Sequence, residues 1–210
     1  MMALLILTVC VALFLGVHLV PMIPSWRSTL VRGFGENAYK IVFAVLALIG
    51  LFGAIIAYRF APHIQLWPSA PSARLVTTVL MLISVICFAN AKFSPWFQRV
   101  VRHPMLWGMG LLGVAHLFAN GEVPGLILFG GLALFGFVWQ PLTDRRDAVV
   151  DPERWAELNR TTSLVPFAKW NATGDVAAQV TMRPLVVGVI AFVVLILLHP
   201  WLFGVPAIPL

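Results

Sequence analysis
Six long apolar runs, separated by short polar connections, set the pattern of this chain. The first runs from Met1 to Val20 and is closed by Pro21 and Pro24. The second covers about Ala38 to Ala57 and the third about Leu75 to Ala89. The fourth and fifth, Met105 to Ala119 and Pro124 to Val138, are joined by the tight turn Asn120-Gly121-Glu122. The sixth spans about Leu185 to Phe203. A helix crossing a bilayer needs roughly 20 apolar residues. The pattern therefore predicts an all-α bundle of about six transmembrane helices, forming one domain over residues 1–210. The first run lacks a basic leading segment and a small-x-small cleavage site, so it reads as a retained helix rather than a signal peptide.

One connection is long and polar, Gln140 to Arg183. Within it Asp151-Pro152-Glu153 is a helix start, with a capping side chain, a proline in the first turn and an acid facing the helix dipole. A short interfacial helix through Trp155 and Leu158 is expected to follow.

Composition removes the soluble alternatives. Hydrophobic residues make up 60% of the chain and charged residues 10%, against about a quarter charged in soluble domains. The formal charge of +6 comes without a basic stripe interleaved with aromatics, so nucleic acid is not an expected partner; the lipid bilayer is. The positive charge is instead sorted by connection. Arg27, Arg32, Lys40, Lys92, Arg99, Arg102, Arg145, Arg146, Arg154, Arg160, Lys169 and Arg183 fall in the first, third and fifth connections, and only Arg59 and Arg74 fall on the other side. The positive-inside rule then places both termini outside and the long connection in the cytoplasm of a bacterial-type inner membrane. Cys10 and Cys87 lie inside apolar runs, where they read as small core residues rather than a disulfide framework.

Five histidines carry the candidate chemistry. An ionisable side chain at membrane depth is costly and marks a functional site by default. His18 ends the first run, His103 precedes the fourth in VRHPMLWG, His116 lies deep in the fourth, and His199 nears the end of the sixth. A histidine in an apolar helix needs a polar side chain, a metal or a cofactor iron as partner. His63, in a loop, reads as having no special role. Asn120, four residues after His116, shares its helix face and either steadies the imidazole or serves turn chemistry with Gly121. Arg102 reads either as an anchor at the lipid phosphate level or as a site arginine gripping a carboxylate or phosphate. No zinc spacing, Ser-His-Asp arrangement or phosphate-binding glycine loop is present. Gly108, Gly110, Gly113, Gly125, Gly130 and Gly131 read as small residues that permit close helix packing. Acids are too scarce within the runs for a proton-relay pump.

The segments HLVPMIPSWRSTLVRGFGENAYK, LVTTVLMLISVICFANA, RHPMLWG, AHLFANGEVPGLILFGG, TTSLVPF and HPWLFG together resemble the NnrU family over essentially the whole chain. The resemblance implies a multi-span membrane protein associated with nitrite and nitric-oxide reduction. The plant and cyanobacterial relative that shares these motifs, 15-cis-zeta-carotene isomerase, uses haem b in a cis-to-trans isomerisation. The resemblance therefore implies haem b held by His18 and His116, with an apolar or small-molecule substrate left open. RHP followed by glycine also resembles membrane methyltransferases that use S-adenosylmethionine, although the glutamate pair of those enzymes is missing here. A non-enzymatic accessory or transport subunit is the remaining alternative.

Helix directions complicate the implied pair. Two axial ligands of one iron must lie at nearly one depth, only about 4 Å apart. His18 ends a descending helix and His116 an ascending one. By depth alone His18 pairs with His103, or His116 with His199, which makes His103 and His199 the second choices.

Overall fold
Pro24, Pro71, Pro104, Pro124 and Pro152 each sit in the first turn of a helix, where the missing amide costs nothing. The computed structural model describes residues 1–91, 95–170 and 180–208. Its helices are α1 (Met2–Leu19), α2 (Pro24–Phe34), α3 (Glu36–Phe60), α4 (Pro71–Asn90), α5 (Pro104–Ala119), α6 (Val123–Val150), α7 (Pro152–Thr161) and α8 (Met182–Phe203), with 3-10 turns at Val20–Met22 and Pro95–Arg99. Among the described residues, extended pairing is confined to a single bridge between Gln65 and Glu122.

Five helices, α1, α3, α4, α6 and α8, are long and apolar enough to cross a membrane. The sixth apolar helix, α5, has 16 residues. It rises about 24 Å, less than the roughly 30 Å hydrocarbon core, and both its ends meet polar clusters described below. Large apolar side chains face outward along the spans. On α8, Val186, Val187, Ile190, Val193, Val194 and Leu197 are all exposed, a surface that fits lipid and not water.

In the bundle α1 packs between α3 and α6, α5 packs between α6 and α4, and α8 closes against α4. Leu7, Phe14, Ala54, Ala57, Leu128, Leu132, Phe135 and Trp139 form the main core. Glycines set the closest approach. A Cβ on Gly113 would lie 2.4 Å from the Ala133 nitrogen, and one on Gly136 would lie 2.1 Å from the Gly110 nitrogen. The packing role expected for Gly108, Gly110 and Gly113 is observed, and Gly136 joins them. Gly130 faces only Leu126 of its own helix and has no such role.

Two elements differ from what the sequence pattern predicts. Residues 24–34, which the pattern assigns to a connection, form α2, with Leu30 and Phe34 one turn apart on its apolar side. The fifth span does not stop near Val138: α6 continues through Pro141 to Val150. Proline removes one ladder bond there, yet Asp144, three residues on, is tied to the start of α5 by an ion pair with Arg102 that fixes the helical extension. The expected interfacial helix is present as α7, and Asp151 caps it by accepting from the Arg154 amide at 3.1 Å.

The alternating helices gather Arg27, Arg32, Lys40, Arg99, Arg102, Arg145 and Arg146 at one end of the bundle, here the basic end, and leave Arg59 and Arg74 at the opposite end. Reporter fusions after Val150 are expected to read cytoplasmic, and fusions after Asn120 and at Leu210 external. A cytoplasmic reading at Leu210 contradicts this topology.

Candidate functional site
At the opposite end, His116 and His199 reach the same level of α4 from its two sides. The register follows from close contacts. Thr77 of α4 donates to the Ala115 carbonyl at 2.9 Å, and Ser84 to the Gly108 carbonyl at 2.7 Å, so α4 and α5 run antiparallel with Thr77 beside Ala115 and His116. Gly188 of α8 packs on Ile86, its added Cβ 3.0 Å from the Ile86 Cα. Eleven residues along α8 and eleven back along α4 bring His199 level with Leu75, next to Thr77.

Each ring is oriented by its own backbone. His116 Nδ1 lies 2.9 Å from the Leu112 carbonyl, and His199 Nδ1 lies 2.7 Å from the Val205 carbonyl. A carbonyl only accepts, so Nδ1 carries the proton in both and Nε2 keeps its lone pair. That is the tautomer of a metal-ligating histidine, whose second ring nitrogen donates to a carbonyl. His116 also stacks on Phe129, with ring centroids 4.5 Å apart.

His18 has the same tautomer, with Nδ1 2.7 Å from the Phe14 carbonyl, but a different place. Its ring is walled by Phe14, Phe43 and Phe135 at 4.4, 5.1 and 4.8 Å. Trp139 Nε1 donates to its carbonyl at 3.0 Å. His18 thus touches α6 at Phe135 and His116 touches it at Phe129. Those positions are about 9 Å apart along the axis and about 120° apart around it. These contacts place His18 nearer the basic end of α6 than His116. His116 with His199 is the pair that shares a level.

His103 is committed elsewhere. At the basic end Arg102, only 4% exposed, donates from Nε to the Thr162 hydroxyl at 3.0 Å. Its Nη2 donates to Asn159 Oδ1 at 2.6 Å and to the Thr162 carbonyl at 2.9 Å, and its Nη1 pairs with Asp144. His103 Nε2 holds the other oxygen of Asp144 at 2.8 Å. Arg102 is therefore not an anchor at the lipid phosphates. It grips a carboxylate, as the second reading allowed, but one supplied by the protein itself: the cluster pins the end of α6 and the α7 exit to the start of α5. Sequence reasoning missed Asp144 because it sits in a run of charges, TDRRD, that reads as solvated loop.

Asn120 acts on α5 rather than on the His116 ring. Its backbone amide and Nδ2 both donate to the His116 carbonyl, at 2.8 and 2.9 Å, and its φ of −121° is not left-handed. Glycine is needed at 121 for another reason. The strap of residues 64–67 donates to the Gly121 carbonyl through Leu66 and Trp67, and a Cβ there would lie 2.1 Å from the Trp67 oxygen. The same strap corrects the reading of His63, which pairs with Glu122. That buried carboxylate also accepts from the Tyr58 hydroxyl at 2.8 Å.

The profile of the NnrU protein family matches residues 6–207. The chain belongs to the NnrU family. No curated protein and no solved structure matches it. Among the described residues, this NnrU protein carries one histidine pair with both Nε2 atoms uncommitted near the end opposite the basic residues, and one phenyl-lined histidine toward the basic end.

Proposed function
We propose that this NnrU protein binds haem b inside the bilayer, where His116 and His199 would hold it, and supports redox-dependent chemistry there. The observation that carries the proposal is the shared level of two imidazoles, each with Nδ1 donating to a carbonyl and no partner for Nε2 among the described residues. Histidine nitrogen is the donor that haem iron takes in b-type proteins, and second-sphere carbonyls raise its basicity. Bound there, haem would supply one-electron redox chemistry. The chain's own contribution would be orientation. The Leu112 carbonyl fixes the His116 ring, Asn120 steadies the helix end that carries it, and Phe129 buries its face. Exposed apolar faces of α8 leave the pair open to substrates that arrive through lipid. On this reading the protein serves the nitrogen-oxide metabolism associated with its family, or a haem-dependent cis-trans isomerisation of an apolar substrate, in the inner membrane of a bacterial-type cell.

Methyl transfer at RHP has less support, because Arg102 and the Nε2 of His103 are already held by Asp144, Asn159 and Thr162. An accessory or transport subunit without cofactor is the reading that a colourless preparation would favour. Protein purified in mild detergent is expected to give a haem b signature in the pyridine haemochrome assay, near one haem per chain. A preparation from haem-replete cells that carries none would overturn the proposal.

A further inference from the structure
At the basic end, α1, α2 and α3 form an open cleft of about 200 Å³. Its walls are apolar, among them Val17, Leu30, Phe34, Val42 and Leu46, and its one polar side chain is Tyr39. The Tyr39 hydroxyl oxygen is buried and has no hydrogen-bond partner among the described residues. A buried hydroxyl without a partner is uncommon, because it loses water and gains nothing in return. Helix α2 roofs the cavity with Leu30 and Phe34, while Arg27 and Arg32 stand on its polar side.

The charges at the mouth are unbalanced. Arg27 Nη2 and Lys40 Nζ both reach Glu36 Oε1, at 2.6 and 3.2 Å, so two cations share one carboxylate. Arg27 also lies over the Tyr39 ring, 5.5 Å from its centroid. From the apolar interior outward, the order is chain-lined cavity, one hydroxyl donor, then excess positive charge. That sequence is the mirror of a glycerophospholipid, which presents an acyl chain, an ester carbonyl and a phosphate in the same order. Tyr39 stands in the first turn of α3, where the chain enters the membrane, and that is the level at which ester carbonyls occur. Basic residues at this depth attract anionic lipid.

We infer that this cleft is a binding site for a single anionic glycerophospholipid, with one acyl chain in the cavity, a lipid carbonyl accepting from Tyr39 and the phosphate facing Arg27 and Lys40. The site is separate from the His116–His199 pair and does not depend on haem. Phe43 forms both the cavity wall and one wall of His18, so an occupied cleft would also hold that phenyl against the imidazole.

Native mass spectrometry of delipidated full-length protein, with added phosphatidylglycerol or phosphatidylcholine of identical chains, tests the assignment. One phosphatidylglycerol is expected to survive activation that strips all others. Val42→Trp, at a residue lining the cleft, should abolish that last adduct, whereas Leu48→Trp, equally exposed on the same helix but outside the cleft, should keep it. Tyr39→Phe removes one hydrogen bond and should weaken retention about fivefold. Arg27→Gln should erase the preference for phosphatidylglycerol. Equal retention of the two lipids by the wild type, or an unchanged last adduct in both Val42→Trp and Tyr39→Phe, overturns the site. Displacement of phosphatidylglycerol by an uncharged isoprenoid quinone overturns it as well.

Discussion

Asp144→Ala is expected to destabilise the protein by about 3–5 kcal/mol, the usual loss when one member of a buried ion pair is removed. The reason is the charge left behind. Arg102 is 4% exposed and its guanidinium makes four hydrogen bonds to Asp144, Asn159 and Thr162. Without Asp144 that cation is buried beside neutral acceptors only, and His103 loses its Nε2 partner too. Arg102→Lys should fare almost as badly, because an ammonium cannot reproduce a planar fork directed at three residues. Removing both charges, in Arg102→Met with Asp144→Leu, should recover part of the loss relative to either single variant. Thermal unfolding in detergent measures all of these. An Arg102→Lys variant that melts with the wild type would mean that the arginine is only a surface anchor.

Gly136→Leu is expected to abolish the folded membrane form. A Cβ at 136 would lie 2.1 Å from the Gly110 nitrogen and 2.6 Å from the Leu106 carbonyl, and backbone cannot yield as a side-chain end can. Gly113→Leu faces the Ala133 nitrogen and the Phe129 carbonyl at 2.4 and 2.5 Å and should fail in the same way. Overpacking a well-fitted core costs about 1–3 kcal/mol even where side chains can shift; here α5 and α6 must separate. Because Phe129 rides on α6 against His116, separation would also loosen the histidine site. Gly130→Leu, where an added Cβ would meet only the end of the Leu126 side chain at 3.5 Å, is the matched control. Size-exclusion profiles of the three variants distinguish the cases, and a normal monodisperse peak for Gly136→Leu would contradict the close packing.

The spans were legible because apolar runs near membrane length have few alternatives. Helix α2 was not, since its apolar side is short and its prolines resemble connection. The end of α6 was hidden by Pro141 and by the charges after it, which look solvated until Asp144 is seen paired with a distant arginine. The histidines were visible as costly polar groups in apolar helices. Which of them share a level was only half visible. Helix direction alone separated His18 from His116 and offered His116 with His199, but the register through Thr77, Ala115, Ile86 and Gly188 requires the packed structure. His63 escaped because its partner Glu122 lies 59 residues away in sequence and meets it only through a loop strap.

The most direct test of the account is the reduced-minus-oxidised absorbance of purified wild type beside His116→Ala, His199→Ala, His18→Ala and His63→Ala. Wild type should show the Soret and α bands of haem b. Loss of either His116 or His199 should remove or shift them at unchanged membrane levels, while His18→Ala and His63→Ala should retain them. A spectrum that survives His199→Ala intact but disappears in His18→Ala would contradict the pairing of His116 with His199.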